Sequence, residues 1–164
     1  MIIKEIKKRR SIRSYKADPV SDEDIKEIIK SAQFAPTAND NRAVEFVIIK
    51  DPEIKNTIFS FVDQEYMNSA PVLIVPVIDK EKSVTPVEDL SIASEHIFLQ
   101  ATALGLGTVW KHLSPEWVEK IKTLLDIPEN FTMINLIPLG YAEEEMPEHS
   151  DEEFILEKIH QEKW

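Results

Sequence analysis

Positively charged side chains are concentrated near the amino end of the chain, in the run Arg9-Arg10-Ser11-Ile12-Arg13. The arginine side chain is permanently charged and has paired N–H donors that can bind a phosphate, and serine adds a neutral hydrogen bond. The C-terminus of a helix by itself disfavours anions, so a phosphate bound there would depend on side-chain donors such as these arginines and the serine. Alternatively, these cations complement the helix dipole and stay solvated. The spacing alone leaves both interpretations open.

Two further segments contain residue types suited to a flat ligand. Residues 36–42 read PTANDNR, and their Thr and Asn side chains can present donors and acceptors to the edge of a heterocycle. Residues 105–110 read GLGTVW, and two glycines allow backbone amides to approach a ligand closely. Each segment also has a purely structural interpretation. The first is compatible with a plain helix-to-strand turn, and the second with a helix C-cap followed by a strand.

Other kinds of active site find little support in the sequence. With no cysteine, the chain has no thiolate zinc site and no cysteine nucleophile. Three glycines are too few for a Walker loop or a dinucleotide-binding turn, and no GxSxG elbow is present. The histidines lack the spacing of a metal site, so we predict no metal; they are His96, His112, His149 and His160.

Helices are predicted where apolar residues recur every three to four positions. The clearest begins at Ser21, a candidate N-cap with Asp24 three residues later, and Pro36 stops it. The longest covers residues 88–104, with Gly105 as its C′ residue, and is small and apolar around much of its circumference. Such a helix is typically buried between layers or subunits. Others are predicted to end near residues 10–11, to begin at Pro52 and at Ser114-Pro115, and to run from Phe154 to Trp164.

Strands are predicted at residues 44–49, 72–78, 108–110 and 131–139, where β-branched and other apolar residues cluster. Proline cannot donate a ladder hydrogen bond, so we expect Pro76 at a sheet edge or a bulge. Helices and strands interleave without β-hairpin signals. This order indicates an α+β or α/β fold with several helices on a small sheet.

Length and composition indicate one globular domain over residues 1–164. Hydrophobic residues make up 43% of the chain and charged residues 30%, as in ordinary globular proteins. The longest apolar run is too short to span a bilayer, and the amino end carries no apolar signal core. We therefore expect a soluble, cytoplasmic protein.

The charge is distributed unevenly. A net charge of −11 argues against a general nucleic-acid binder. Yet the first sixteen residues hold seven cations against one acid, whereas from Glu143 onward nine acids face two lysines. A concentration of positive charge at one end of an acidic protein therefore calls for an explanation of what that end binds.

Taken in order, these segments resemble the FMN-dependent nitroreductase family. The resemblance is carried by RRSIRSY near the amino end, by APTAN after the first capped helix, by DLSIA and ALGLGTVW around the long helix, and by IPLGYA. It implies a compact α+β fold that forms an intertwined homodimer with two FMN molecules at the subunit interface, the long helix building the dimer core. Family members pass electrons from NAD(P)H to nitroaromatics, quinones or related acceptors by a ping-pong route.

The resemblance also assigns roles to individual residues. It implies that the flavin carries the chemistry, so no catalytic side chain is predicted, because hydride passes from nicotinamide to flavin directly. Arg9, Arg10 and Ser11 match positions that hold the FMN phosphate and ribityl chain, and Arg13 matches a basic position near the pyrimidine edge. A fixed cation there stabilises the negative charge of reduced flavin. The remaining cofactor-binding residues implied are Pro36, Thr37, Ala38, Asn39, Leu106 and Gly107.

The chain departs from the family pattern in two places. Asp40 puts a carboxylate near the expected ring, where it would repel the reduced flavin unless Arg42 neutralises it. Residues 150–154 read SDEEF, where the family usually places a phosphate-binding cation, so Lys111 or another arginine substitutes, or FMN binds weakly. Two rival functions follow. One is a flavin- or small-molecule-binding protein of the same fold without turnover, and the other is a helical interaction protein whose basic end meets an acidic partner, such as its own tail across a dimer.

Overall fold

A six-stranded antiparallel sheet forms the centre of the protein in a computed structural model. The structure describes residues 1–62 and 64–164, apart from the side chains of Glu65 and Tyr66. The strand order is β1-β2-β6-β3, and β4 and β5 pair with β6 and β2 respectively. The strands are β1 Val44–Ile49, β2 Val72–Asp79, β3 Gly107–Thr108, β4 Lys111–His112, β5 Phe131–Thr132 and β6 Asn135–Gly140.

Helices cover both faces of this sheet. Two of them start with the serine caps expected from the sequence: the Ser21 side chain accepts from the Asp24 amide at 3.0 Å, and Ser114 from the Trp117 amide at 3.3 Å. The helices are α1 Lys4–Lys8, α2 Asp22–Gln33, α3 Pro52–Val62, α4 Glu65–Ser69, α5 Pro86–Ala103 and α6 Pro115–Leu124, with short 3-10 turns at Ala38–Asp40, Asp151–Glu153 and Leu156–Lys158.

The hydrophobic core lies in two layers, because every residue of β2 is buried and successive side chains point to opposite faces. Leu73 and Val75 pack with residues of α3 and α6 such as Ile58 and Ile121. On the other face, Ile74 packs with buried residues of α2 and α5. The fold is therefore α+β, as the family resemblance implied.

The long helix α5 has the buried stripe that its apolar spacing predicts. Leu90, Ala93, Ile97 and Ala101 are all fully buried. The helix ends at Ala103, and Gly105 has the left-handed φ of +75° expected of a C′ residue. No helix within the described ranges is long and apolar enough to cross a lipid bilayer.

The placement of Pro76 differs from the expectation of a sheet edge. Strand β2 is internal, with Pro76 facing Phe46 of β1, so the edge assignment was wrong. On the other side of β2, β6 pairs with residues 72–74 and β5 with residues 78–79. The ladder is therefore interrupted alongside Pro76, which is compatible with a residue that has no N–H to donate. The same interruption divides the single strand predicted at 131–139, and the strand predicted at 108–110 is instead two short strands, β3 and β4.

The carboxyl-terminal segment does not form the α-helix predicted from Phe154 to Trp164. It contains the two short 3-10 turns, and all residues from 151 to 164 are exposed. Isolated short helices are marginal in water and depend on burying an apolar face. Phe154, Leu156 and Ile159 are at least half exposed, at 65%, 65% and 56%, so this segment has no such face buried within one chain.

Candidate functional site

The basic run near the amino end lies beside the glycine-containing turn that follows α5. The Ile12 amide donates to the Thr108 carbonyl at 2.9 Å, and Ser11 forms an isolated parallel bridge with Thr108. A cavity of about 430 Å³ is lined by both segments, with Arg10 on one side and Leu106 and Gly107 on the other. Tertiary structure therefore brings together two segments that are some 95 positions apart in the chain.

Gly107 lacks a side chain for a reason that the sequence did not reveal. A Cβ atom at this position would lie 2.6 Å from Cγ1 of Ile12 and 2.9 Å from its Cβ. Ile12 cannot retreat easily, because its own amide is hydrogen-bonded to Thr108. Glycine at this position therefore allows the basic run to pack closely against β3.

The arginines of the basic run have different surroundings. The Arg10 guanidinium donates to the carbonyls of Pro147 at 2.6 Å and Glu148 at 3.2 Å, and to the Glu153 carboxylate at 3.4 Å. Arg13 is exposed, with Nη1 3.5 Å from the Ser11 carbonyl.

Arg9, by contrast, is half-buried, and its guanidinium has no hydrogen bond or ion pair within the described ranges. It lines a cavity of about 300 Å³ together with His149 and Ser150. A half-buried cation without a partner attracts an anion, because its charge is uncompensated and partly shielded from water. Of these arginines, Arg9 therefore has the surroundings most suited to a ligand.

The loop at residues 36–42 is held by Asp89, in the first turn of α5, which is only 2% exposed. Its carboxylate accepts from the Ala38 amide at 3.1 Å and from Asn41 Nδ2 at 3.0 Å. It also accepts from the hydroxyls of Ser83 at 2.7 Å and Thr85 at 3.3 Å. Sequence reasoning missed Asp89, because an acid in the first turn of a helix is normally explained by the helix dipole.

The Asp89 carboxyl stays ionised despite its burial. Burial raises its pKa, but hydrogen bonds from Asn41, Ser83, the Ala38 amide and Thr85 together outweigh that effect, so the pKa of Asp89 lies below its usual value. A carboxyl whose pKa is lower in the folded than in the unfolded state adds stability above the unfolded-state pKa of about 3.9. That stability is lost as the pH falls through the folded-state value.

We therefore expect the stability contributed by Asp89 to depend on pH in acid. The difference in unfolding free energy between the wild type and Asp89→Asn should be constant from neutral pH down to about pH 5 and shrink below about pH 4. Urea denaturation of both proteins at pH 7, 5, 4 and 3 measures it. A difference that is unchanged at pH 3 would show that the carboxylate charge does not hold the loop.

The backbone of this loop has three non-glycine residues with left-handed φ: Asn39 at 57°, Asp40 at 52° and Arg42 at 49°. Arg42 forms a two-point ion pair with Asp40, at 3.0 and 2.9 Å. Its hydrogen bonds and charge hold the pKa of Asp40 below the usual value. Arg42 thus neutralises the carboxylate that departs from the family pattern. Phe34, Pro36 and Thr37 line, with this pair, a cleft of about 560 Å³.

The two groups of predicted site residues lie at opposite ends of α5. The loop is tied to Asp89 at the start of the helix, and the Leu106 amide donates to the Ala101 carbonyl at its end, at 2.8 Å. Twelve residues of α-helix separate Asp89 from Ala101, about 18 Å at 1.5 Å per residue. Arg9, Arg10, Ser11, Arg13, Leu106 and Gly107 are at one end, and Pro36, Thr37, Ala38 and Asn39 at the other.

The other candidate groups have structural contacts. Lys111 Nζ lies 4.7 Å from the centre of the Trp117 ring, and burial lowers the pKa of this lysine. His96 Nδ1 is 2.9 Å from the Ser31 carbonyl oxygen. Among the residues described, no group of three or more His, Asp or Glu side chains is arranged to hold a metal ion.

Comparisons with known proteins agree on one family. A model of the nitroreductase family matches residues 6–62 and 57–141. An Archaeoglobus fulgidus protein, provisionally named NADH dehydrogenase/NAD(P)H nitroreductase, is 36% identical over 170 residues, which cover 99% of this chain and 98% of that protein.

Solved structures show the same similarity. An FMN-dependent nitroreductase from Clostridium difficile R20291 superposes with a TM-score of 0.92 at 32% identity, covering 99% of this chain and 100% of that one. The NADPH:FMN oxidoreductase from Vibrio harveyi, complexed with NAD+, has a TM-score of 0.86 at 25% identity and covers 98% of this chain and 76% of that one.

Proposed function

The chain belongs to the nitroreductase family, and from that premise we propose that it is an FMN-dependent oxidoreductase. It passes electrons from NAD(P)H to a small planar acceptor of the nitroaromatic or quinone type by a ping-pong route. Two similar structures support the cofactor and the electron donor, since one is an FMN-dependent nitroreductase and the other an NADPH:FMN oxidoreductase.

The Arg9 guanidinium is the observation that carries this proposal. It is half-buried, lines a cavity and has no partner in the described chain. Ser11, two residues later, is exposed and sits beside β3, where its hydroxyl is available as a neutral donor. A permanent cation and a hydroxyl next to a close backbone turn are the donor set that a phosphate monoester requires. The residues present therefore have the donor chemistry that the phosphate end of FMN requires, with Arg9 lining one cavity and Leu106 and Gly107 another.

When bound, FMN would supply the hydride chemistry between the nicotinamide and the acceptor. The protein contributes position and charge. Arg9 and Ser11 hold the phosphate, Leu106 and Gly107 border the cofactor with their backbone, and the exposed Arg13 places a fixed cation where negative charge develops. Residues 36–39 border the ring, and the Asp40–Arg42 pair adds no net charge there.

A complete site requires a second copy of the chain. The residues proposed to hold the phosphate and those proposed to border the ring lie at opposite ends of about 18 Å of α5, which supports a site whose two parts come from different chains. Ile92, on a partly exposed stripe of α5, and the apolar side chains after residue 153 are available for burial by a partner. We propose an intertwined homodimer with two sites, each built from both chains. The single domain over residues 1–164 and the cytoplasmic location stay predictions.

Replacing Arg9 by alanine should weaken FMN binding by about 1.5–3 kcal/mol, the usual worth of a hydrogen bond to a charged group. Arg9 has no described partner in the folded chain, so the apo protein should keep its stability. Fluorescence titration of apo protein with FMN measures the affinity, and Lys30→Ala, which removes an exposed cation on α2, is the matched control. Equal FMN affinities for Arg9→Ala and the wild type would contradict the assignment.

A flavin-binding protein without turnover is the second candidate, favoured by one observation. Asp151 borders the Arg9 cavity, and it and the two residues after it are acids where the family usually has a cation. The absorbance spectrum of the purified protein before and after anaerobic NADH or NADPH separates the two functions. A yellow protein bleached by either donor supports the oxidoreductase, and one that stays yellow supports the binding protein.

A further inference from the structure

An acidic segment near the carboxyl end lies across the basic amino-terminal helix. We call this segment, residues 147–153, the tail strap. The His149 amide donates to the Lys7 carbonyl at 2.8 Å. Two ion pairs join the same elements, between Lys7 and Asp151 at 3.2 Å and between Lys8 and Glu148 at 3.6 Å. The uneven charge of the chain is thus partly neutralised within the molecule.

Helix α1 also lies against α5, but it is too short to stay folded without tertiary contacts. It has only five residues, no side-chain cap at its start and no buried residue. A helix this short is unstable in water without tertiary contacts. Beyond its C-terminus, the chain is joined to β3 through the Ile12 amide and the bridge at Ser11. Residues 7–11 therefore lie between β3 and the tail strap.

Among the cationic side chains in α1 and just after it, Arg10 makes the most contacts with the tail strap. Exposed single-point lysine pairs contribute little to stability, since water and salt screen them. Arg10 instead donates to two backbone carbonyls and one carboxylate, and only 23% of its side chain is exposed. Its carboxylate partner, Glu153, also accepts from the Ser150 amide at 3.0 Å and lies 2.6 Å from His149 Nδ1, and so closes the 3-10 turn of the strap.

The strap also forms part of the wall around Arg9. The cavity that Arg9 lines is bordered by His149, Ser150 and Asp151. A displacement of the strap would open this cavity to solvent and remove one of the supports of α1, which carries Arg9 at its end and also lies against α5. The position of Arg9 thus depends on the contacts of its neighbour Arg10.

We propose that Arg10 is a positioning residue that anchors the tail strap and, through it, holds Arg9 and Ser11 in place for the phosphate of FMN. The inference rests on the proposed function for the identity of the ligand. It separates two adjacent arginines that the sequence groups together: Arg9 contacts the phosphate, and Arg10 acts on binding through the strap.

The two possible roles of Arg10 predict different effects of changing Glu153. Because Glu153 also contacts His149 within the strap, FMN binding by this variant is interpreted together with strap exchange in the Arg10 variants. If Arg10 contacted the phosphate directly, Glu153→Gln would remove a competing negative charge and leave FMN binding unchanged or tighter. If Arg10 anchors the strap, Glu153→Gln weakens the anchor and therefore weakens FMN binding, although it removes a negative charge near an anionic ligand.

The test compares Arg10→Gln, Arg10→Lys and Glu153→Gln with the control Lys30→Gln, which breaks an exposed pair with Glu27 on α2. Hydrogen exchange of residues 147–153 is measured on the apo proteins, and FMN affinity by fluorescence titration. We expect exchange in the strap to accelerate on the order of tenfold in Arg10→Gln. The acceleration should be smaller in Glu153→Gln and in Arg10→Lys, which keeps the charge but loses the paired donors.

FMN affinity should fall severalfold in Arg10→Gln and Glu153→Gln and stay at the wild-type value in Lys30→Gln. Unchanged strap exchange in Arg10→Gln, or wild-type or tighter FMN binding by Glu153→Gln, would overturn the proposal. A wild-type protein that binds no FMN would overturn the proposed function and the cofactor role of the strap together. The exchange measurement on the apo proteins would still decide whether Arg10 anchors the strap.

Discussion

Replacing Asp89 by alanine should lower the free energy of unfolding by roughly 3 kcal/mol and release the loop at residues 36–42. The substitution removes a buried acceptor that serves four donors, from Ala38, Asn41, Ser83 and Thr85. Buried donors left without an acceptor cost about 1–3 kcal/mol each, and partial access of water to the loop reduces the sum. The loss therefore exceeds that of an ordinary surface substitution.

Urea denaturation monitored by circular dichroism measures this effect. Asp22→Ala is the matched control, because Asp22 also lies in the first turn of a helix but its carboxylate is exposed and pairs with Lys50. We expect a change of no more than about 0.5 kcal/mol for the control. A similarly small change in Asp89→Ala would show that the four hydrogen bonds do not hold the loop.

The Asp89 substitution should also affect the site. Residues 36–39 are proposed to border the ring of a cofactor whose phosphate is held by another chain. Loss of Asp89 should therefore weaken FMN binding while leaving strap exchange at residues 147–153 at the wild-type rate, since the strap lies near the opposite end of α5. Accelerated exchange in the strap would indicate global loosening instead of a local effect on the loop.

Replacing Gly107 by alanine should destabilise the protein by about 2–3 kcal/mol, mainly by steric conflict. The new methyl group would meet Ile12 at 2.6 and 2.9 Å, well inside normal contact distance. Ile12 is itself fixed to Thr108 through its amide, so the conflict displaces the basic run from β3. FMN affinity should fall with stability, because Arg9 and Ser11 belong to the displaced segment.

A second substitution identifies the cause of this destabilisation. Ile12→Ala removes the atom at 2.6 Å but keeps the Cβ at 2.9 Å, so Gly107→Ala should cost less in the Ile12→Ala background than in the wild type. Gly105→Ala is the contrasting control: nothing lies within 4 Å of its Cβ position, and its φ of +75° predicts about 1 kcal/mol of backbone strain alone. Thermal and urea unfolding compare the wild type, the two single variants, the double variant and the Gly105→Ala control. Additive effects at positions 12 and 107 would exclude the steric explanation.

The family, the fold class and the boundaries of several elements could be predicted from the sequence. The caps at Ser21 and Ser114, the C′ residue Gly105 and the strand at residues 44–49 are all determined by neighbouring residues. Capping hydrogen bonds span three residues, and a buried strand needs only a short β-branched run. These elements could therefore be predicted from interactions between residues close together in the sequence. The helix predicted after residue 153 was wrong, because an apolar stripe stabilises a helix only where other parts of the protein bury it.

The sequence by itself determined which residue types are present for phosphate and ring binding, and in what order. Only the tertiary structure decided what each of them contacts. Arg9 and Arg10 are adjacent in sequence, yet one has no described partner and the other is held by a strap more than 130 residues away. Asp89 acquires its role from a loop about 50 residues earlier. Hydrogen bonds between such distant residues depend on how the elements pack, and spacing along the chain does not encode that packing.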